Sequence, residues 1–341
     1  MPKRISVSGP YLEVHPWATE GSPVMNDRVV LQPVDAVDVT ILIDNTFDSL
    51  LPSTEEVRRP AKTWDWSEGE QLIAEHGYSL LLSAHQDTRT ETLLYDAGVG
   101  RRTLIHNMDV LGLRASEIRA VVLSHGHVDH HAGLTGLHER VGRQPIPLVL
   151  HPDAWRERKV VLATGDELRM PPPSRADLNR KGWEIVEERG PSVLFDGAVL
   201  VTGQIERTID FEKGLPDQQA LTHGTWEPDV WVWDDQALAC HVKDKGLVVL
   251  SSCSHSGVIN VLRYVQRLTG IERVHAFVGG LHLTGGQFEP IIPRTMEELV
   301  RINPKVIVPG HCTGWKATHE LARRLPTAYV QSSVGTCLHF G

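Results

Sequence analysis

The sequence predicts an α/β fold in which two sheets are each covered by helices on their outer faces. Three observations carry that expectation. Short β-rich apolar runs alternate with helical stretches, and the runs end in Gly, Asp, Ser or His before they reach helical length. They fall into two blocks of similar size, which suggests two sheets. At 341 residues the chain exceeds the usual size of one hydrophobic core, so it needs either two domains or one layered domain.

In the first block, residues 37–43 (VDVTILI) stop at Asp44, 78–83 end in Ser83, and 92–95 (TLLY) stop at Asp96. Residues 120–124 (AVVLS) run into His125 and 147–150 (PLVL) into His151. The stretches 103–111 and 133–141 read as the intervening helices. In the second block the strands are 192–202, 246–251, 273–278 and 305–308, with helices at 256–268 and 295–302. Residues 37–341 read as a single domain. Residues 1–36 lie outside the pattern and read as an N-terminal arm, wrapping its own subunit or packing on a neighbour.

Two segments resist the alternation. Residues 166–180 (DELRMPPPSRADLNR) hold three consecutive prolines, and 204–235 hold Trp226, Trp231 and Trp233 within eight positions. Loops this long in a compact domain cover or bind something, or are exposed insertions. The tryptophans offer flat apolar area for a pocket wall or ordinary core anchors.

Composition narrows the function. Hydrophobic residues make up 41% and charged residues 23%, as in ordinary globular chains. The net charge of −9 argues against nucleic acid or an anionic membrane as partner. Four cysteines without Cys-x-x-Cys spacing do not make a disulfide framework. The N-terminus lacks a secretory pattern, and no run approaches the ~20 apolar residues of a membrane span, so the expected location is cytoplasmic. The expected partner is a small molecule, with a homodimer as the expected assembly. Eighteen histidines point instead to metal or proton chemistry.

That chemistry concentrates in residues 120–133, AVVLSHGHVDHHAG. In an extended segment His125 and His127 project from one face and reach one cation, because side chains alternate. Asp129 and His130, where the chain turns into the next helix, serve a second cation beside it. Imidazole and carboxylate suit Zn(II), and the same donors tolerate Mn or Fe. His131 reads as a supporting or surface residue. A cluster of this size needs more ligands, and the pattern recurs. GLVVLSSCSHSG delivers Cys253 and His255, RVHAFVGGLHL delivers His282, and KVIVPGHCTG delivers His311, each just past an apolar strand, where open α/β sheets gather ligands. Cys253 reads either as a bridging thiolate or as a buried small residue. Asp44 and His76 are candidates for support of the ligands, and Trp226, with Arg175 and Arg207, for substrate contact.

With HGHVDH after a strand and later strand-end histidines closing on PGH, the sequence resembles the metallo-β-lactamase superfamily over about residues 37–313. LIDN, EHGYS, CSHSGVIN, GGLHL and PGHCTG make it similar, more narrowly, to the subgroup named for 7,8-dihydropterin-6-yl-methyl-4-(β-D-ribofuranosyl)aminobenzene 5′-phosphate synthase. The resemblance implies a four-layer αββα sandwich with metals at one edge between the sheets. It also implies His125 and His127 on one metal and Asp129, His130 and His311 on the other. Where most members carry a bridging Asp, this sequence has Cys253 and then His255, and no Asp lies between His255 and His311. The function implied is metal-dependent hydrolysis of a small aromatic or phosphoester substrate, through water activated by two zinc ions, with Asp129 also orienting that water. The alternative is a non-catalytic metal- or ligand-binding protein that keeps the fold.

Overall fold

In the computed structural model, residues 3–6, 13–15, 28–60, 69–142, 145–162 and 164–341 are described. The first sheet has eight strands, in the order Glu184–Glu187, Pro147–Leu150, Ile118–Val122, Arg89–Tyr95, Ser79–Gln86, Ala36–Ile43, Cys337–Phe340 and Val57–Arg58. The second also has eight: Val306–Pro309, Val274–Gly279, Gly246–Ser251, Leu238–Val242, Val199–Val201, Ser192–Leu194, Lys3–Ser6 and Glu13–His15. In each sheet the strands that end in candidate donors run parallel to one another. Their C-terminal ends therefore share one edge.

Alternating side chains on these strands build the layers. Leu80, Leu82, Leu93, Tyr95, Ala120 and Val122 of the first sheet meet Val248, Leu250, Ala276 and Val278 of the second in the central core. The residues between them, Leu81, Leu94 and Val121, turn outward under helices Thr103–Val110 and Leu134–Val141. Leu247, Val249 and Phe277 turn the other way, under helices Val258–Thr269, Ile292–Ile302 and Trp315–Arg324. Strands buried on both faces read as continuous apolar runs, which is why the sequence revealed them. The result is the expected αββα sandwich.

Several elements differ from expectation. The run at 192–202 is not one strand but a pair, Ser192–Leu194 and Val199–Val201, antiparallel to each other. Phe195, Asp196 and Gly197 reverse the chain between them, all at positive φ (53°, 54° and 97°). A third sheet of four strands, Glu167–Met170, Arg158–Val161, Gln218–Thr222 and Thr225–Pro228, is formed mainly by the two segments that resisted assignment. The 166–180 segment also holds helix Arg175–Lys181, capped by the Ser174 hydroxyl, which accepts from the Asp177 N–H. Of the expected arm, Val29 and Leu31 pack in the core beside the second sheet, and Val34 in the central core. Residues 1–2, 7–12 and 16–27 of that arm lie outside the described residues. No described helix is long and apolar enough to cross a membrane.

Candidate metal centre

The strand Ile118–Val122 delivers its histidines through a turn that depends on Gly126. A Cβ there would sit 2.3 Å from the Ala154 carbonyl oxygen, so only glycine admits this approach. The Gly126 N–H donates to Asp234 (2.8 Å), a carboxylate also held by the buried Arg158 guanidinium. His125, His127 and His255 then converge, with ring centroids 4.5 to 4.8 Å apart. His125 Nε2 and His255 Nε2 face each other at 3.1 Å, and His255 Nδ1 has no hydrogen-bond partner. All three rings are buried. Burial, reinforced by neighbouring positive charge, holds His125 and His255 well below the usual imidazole range and lowers His127 to about 3. Three buried neutral imidazoles aimed at one point fit a borderline cation such as Zn(II).

Outer partners orient these rings. Ser124 Oγ lies 2.8 Å from His125 Nδ1, and Gln218 Oε1 lies 2.8 Å from His127 Nε2, leaving His127 Nδ1 available to a cation.

A second set lies beside the first. Asp129 Oδ2 is 3.3 Å from His311 Nε2, 3.6 Å from His130 Nε2 and 3.5 Å from His76 Nε2. His130 Nδ1 donates to Asp96 Oδ2 (2.7 Å), which turns Nε2 inward. His311 is fixed by LIDN: its N–H donates to Asp44 Oδ1 (2.8 Å), its Nδ1 lies 3.3 Å from Asn45 Oδ1, and the Asn45 amide donates to its carbonyl (3.0 Å). Burial opposes charge on both members of the Asp129–His130 pair, but their mutual attraction wins. It holds Asp129 well below the usual carboxylate range and, with Asp96, raises His130 to about 9.

Cys253 lies between the sets, its Sγ 3.3 Å from His130 Nε2. Its sulfur also shares donor groups with His125, with His255 and His282, and with His311 and Cys312. Burial pushes the Cys253 thiol up.

Both sets open on a cavity of about 910 Å³. Val160, Leu168, Met170, Leu215 and Trp315 give it apolar walls, and Arg169 a cationic group. Leu168, Arg169 and Met170 belong to the expected cover, and His131 Nε2 donates to the Pro171 carbonyl (3.1 Å), tying that cover to the histidine motif.

A model of the β-lactamase superfamily domain matches residues 91–174, which include His125, His127, Asp129 and His130. The 7,8-dihydropterin-6-methyl-4-(β-D-ribofuranosyl)-aminobenzene-5′-phosphate synthase of Methanocaldococcus jannaschii is 30% identical over 277 residues, covering 78% of this chain and 90% of the synthase. The chain belongs to the metallo-β-lactamase superfamily, in the subgroup that holds this synthase. An uncharacterized protein of the same organism is 29% identical over 260 residues, covering 74% of this chain and 90% of its own. The crystal structure of Tm1679, a metal-dependent hydrolase of the β-lactamase superfamily, matches the fold with a TM-score of 0.67 at 20% identity, over 89% of this chain and 98% of that one.

Within this metallo-β-lactamase fold, most residues singled out in the sequence come together: His125 groups with His127 and His255 and also with His130 and Cys253, and next to them Asp129 meets His130 and His311. The other candidates lie around these. His282 stands behind His255, ring centroids 4.4 Å apart, and its Nδ1 is unpartnered, so it extends the first set outward. His76, expected as support, reaches Asp129 itself. Trp226 is not part of the cavity wall; it lies on the Thr225–Pro228 hairpin strand, beneath Lys159 and Arg169. Arg175 pairs with Glu187 and stacks on Trp155, and Arg207 donates to the Ile205 and Val232 carbonyls.

Asp96, Asn45, Gln218 and the Arg158–Asp234 pair were not singled out as site residues in the sequence. Asp96 was legible, since TLLYDAG repeats the pattern of an apolar strand delivering a polar residue. Gln218 carries no local signal.

Proposed function

We propose that this protein is a metal-dependent hydrolase holding two zinc ions, one on His125, His127 and His255 and one on Asp129, His130 and His311. Its substrate is a small molecule with a flat aromatic part and an anionic ester group. The observation that carries this reading is the convergence of two adjacent donor sets on one cavity of about 910 Å³. Bound ions of this kind make hydroxide available near neutral pH and polarise a substrate oxygen, so no protein nucleophile is required.

The chain's own residues do the rest. Asp129, held ionised by the rings around it, accepts a hydrogen bond from water entering from the cavity and fixes its line of approach. Ser124, Gln218, Asp96 and Asn45 hold the imidazoles in register, so little reorganisation is left for the reaction. The apolar walls receive a flat ring and exclude water. Arg169, steadied by the Trp226 ring 5.5 Å below it, meets the anionic group. The relative is named as the synthase of a compound with a pterin, an aminobenzene and a 5′-phosphate, which supports a small ligand of that shape in this cavity.

Elemental analysis of protein purified without added metal should return two equivalents of zinc. Turnover should appear within a panel of p-nitrophenyl phosphate mono- and diesters, lactones and aryl halides. No metal and no turnover would leave a ligand-binding protein that keeps the fold.

A further inference from the structure

We infer that His76 is a protein ligand of the second cation, joining Asp129 and His311 in one donor group that needs no bridging aspartate. The inference rests on the metal-binding part of the reading above and adds a residue to it.

The distances decide between a surface ion pair and a ligand. Three ring nitrogens surround the single oxygen Asp129 Oδ2, at 3.3, 3.5 and 3.6 Å. Direct N–H···O bonds fall at ~2.7–3.2 Å, so none of the three closes to normal length. Donors bound at ~2.0–2.1 Å to one tetrahedral ion stand about 3.3–3.4 Å apart, and the His311 and His76 distances to Asp129 Oδ2, 3.3 and 3.5 Å, lie near that spacing. One donor atom each from His76, Asp129 and His311 lies within 4.8 Å of the others, and the His76 and His311 ring centroids are 5.1 Å apart.

The backbone on both sides of His76 is tied to the segments that carry the other ligands. On one side, the Glu75 carboxylate accepts from the Gly100 N–H (2.7 Å), the Val99 N–H (3.2 Å) and the Thr103 hydroxyl (2.6 Å). The Glu75 N–H donates to the carbonyl of Asp44, whose carboxylate fixes His311. On the other side, Gly77 has φ +150°, and a Cβ there would lie 2.7 Å from the Asp129 carbonyl oxygen. A freely placed surface histidine, with its side chain 74% exposed, has no need of such anchoring. The anchoring also supplies what the sequence lacks. With Cys253 in the place of the usual carboxylate, the second ion still finds protein donors in His76, Asp129 and His311.

The test uses the full chain stripped by chelator and reloaded with Zn(II) or Co(II). Wild type should take up two ions. His76→Ala should keep the first and bind the second at least ~100-fold more weakly in indicator competition, exceeding the loss typical of an outer partner. The visible Co(II) bands of the second equivalent should weaken, and His76→Asp should restore part of both signals. Because the side chain is exposed, the variant should fold, which circular dichroism checks. Glu75→Ala, which only frees the loop, should give a smaller loss with the Co(II) band positions unchanged.

Two ions bound to His76→Ala with wild-type affinity and spectrum would overturn the assignment. So would wild-type uptake of a single ion, which leaves hydrolysis by the first donor set standing. Two ions in wild type, a lost second ion in His76→Ala and no turnover of any panel substrate would support the ligand assignment and sink the hydrolase reading.

Discussion

The first donor set consists of three buried imidazoles with no carboxylate among them, whereas the second surrounds a carboxylate with imidazoles. Their protonation behaviour is correspondingly opposite. In the first set, proton uptake on any ring is opposed by burial and by the other rings, so the set stays neutral. In the second, Asp129 and Asp96 hold a proton on His130 up to about pH 9. Neighbouring sites at one edge of the two sheets are thus tuned differently: the first is ready for a cation, and the second exchanges a proton for one.

The sharpest way to break this comparison is to remove a ring from the first set. His127→Ala should lower kcat/KM by more than ~10³ and remove one ion while the second remains, read by kinetics and elemental analysis. Full activity in that variant would refute the ligand assignment.

Metal uptake should separate the sets by pH. Affinity of the second set should fall about tenfold per unit below pH 9, because a cation must displace the His130 proton, while that of the first should be flat between pH 6 and 8. Titrations at three pH values, with proton release monitored, measure both slopes.

Asp96→Asn should sharpen the same contrast. It should weaken the second ion ~10–100-fold and lessen its pH dependence, since one of the two carboxylates that hold the His130 proton is gone, and leave the first ion unaffected.

The metal-free protein carries the contrast into stability. His127 is lowered to about 3 in the fold, so its contribution is present above the unfolded value near 6.5 and is lost as pH falls. From pH 7 to 5 this ring alone should cost about 2 kcal/mol in urea unfolding with chelator present. His130 runs the other way: its contribution is complete below about 6.5 and disappears as pH rises through 9.

The smallest effects are expected at the cavity wall. Trp315→Ala, at a side chain 75% exposed at the cavity, should raise KM several-fold with kcat nearly unchanged. Trp226→Ala should change activity less, since Trp226 acts only through Arg169.

The layered fold was readable because its central strands are buried on both faces and appear as apolar runs. The run at 192–202 misled because the FDG turn sits inside apolar sequence. The strands Arg158–Val161 and Cys337–Phe340 escaped notice because each is only four residues long and carries charged or polar side chains. In the site, His125, His127, Asp129 and His130 were legible as a cluster, and His255 and His311 through the repeated strand-end pattern. His76 was visible as a candidate but not in its place, because it precedes a strand instead of following one. Strand Ser79–Gln86 runs antiparallel to Arg89–Tyr95, so its N-terminal end, with His76 just before it, lies at the edge where the other strands finish.

The order of residues along the chain determined which donors exist and which two fall on one face, because backbone periodicity is local. Which histidines share a cation, which carboxylate traps a proton, and whether a tryptophan faces the cavity or props an arginine were decided by strand order and by the meeting of two sheets. Those contacts join segments as far apart as His76 and His311, and burial and charge at a site depend on every segment that reaches it.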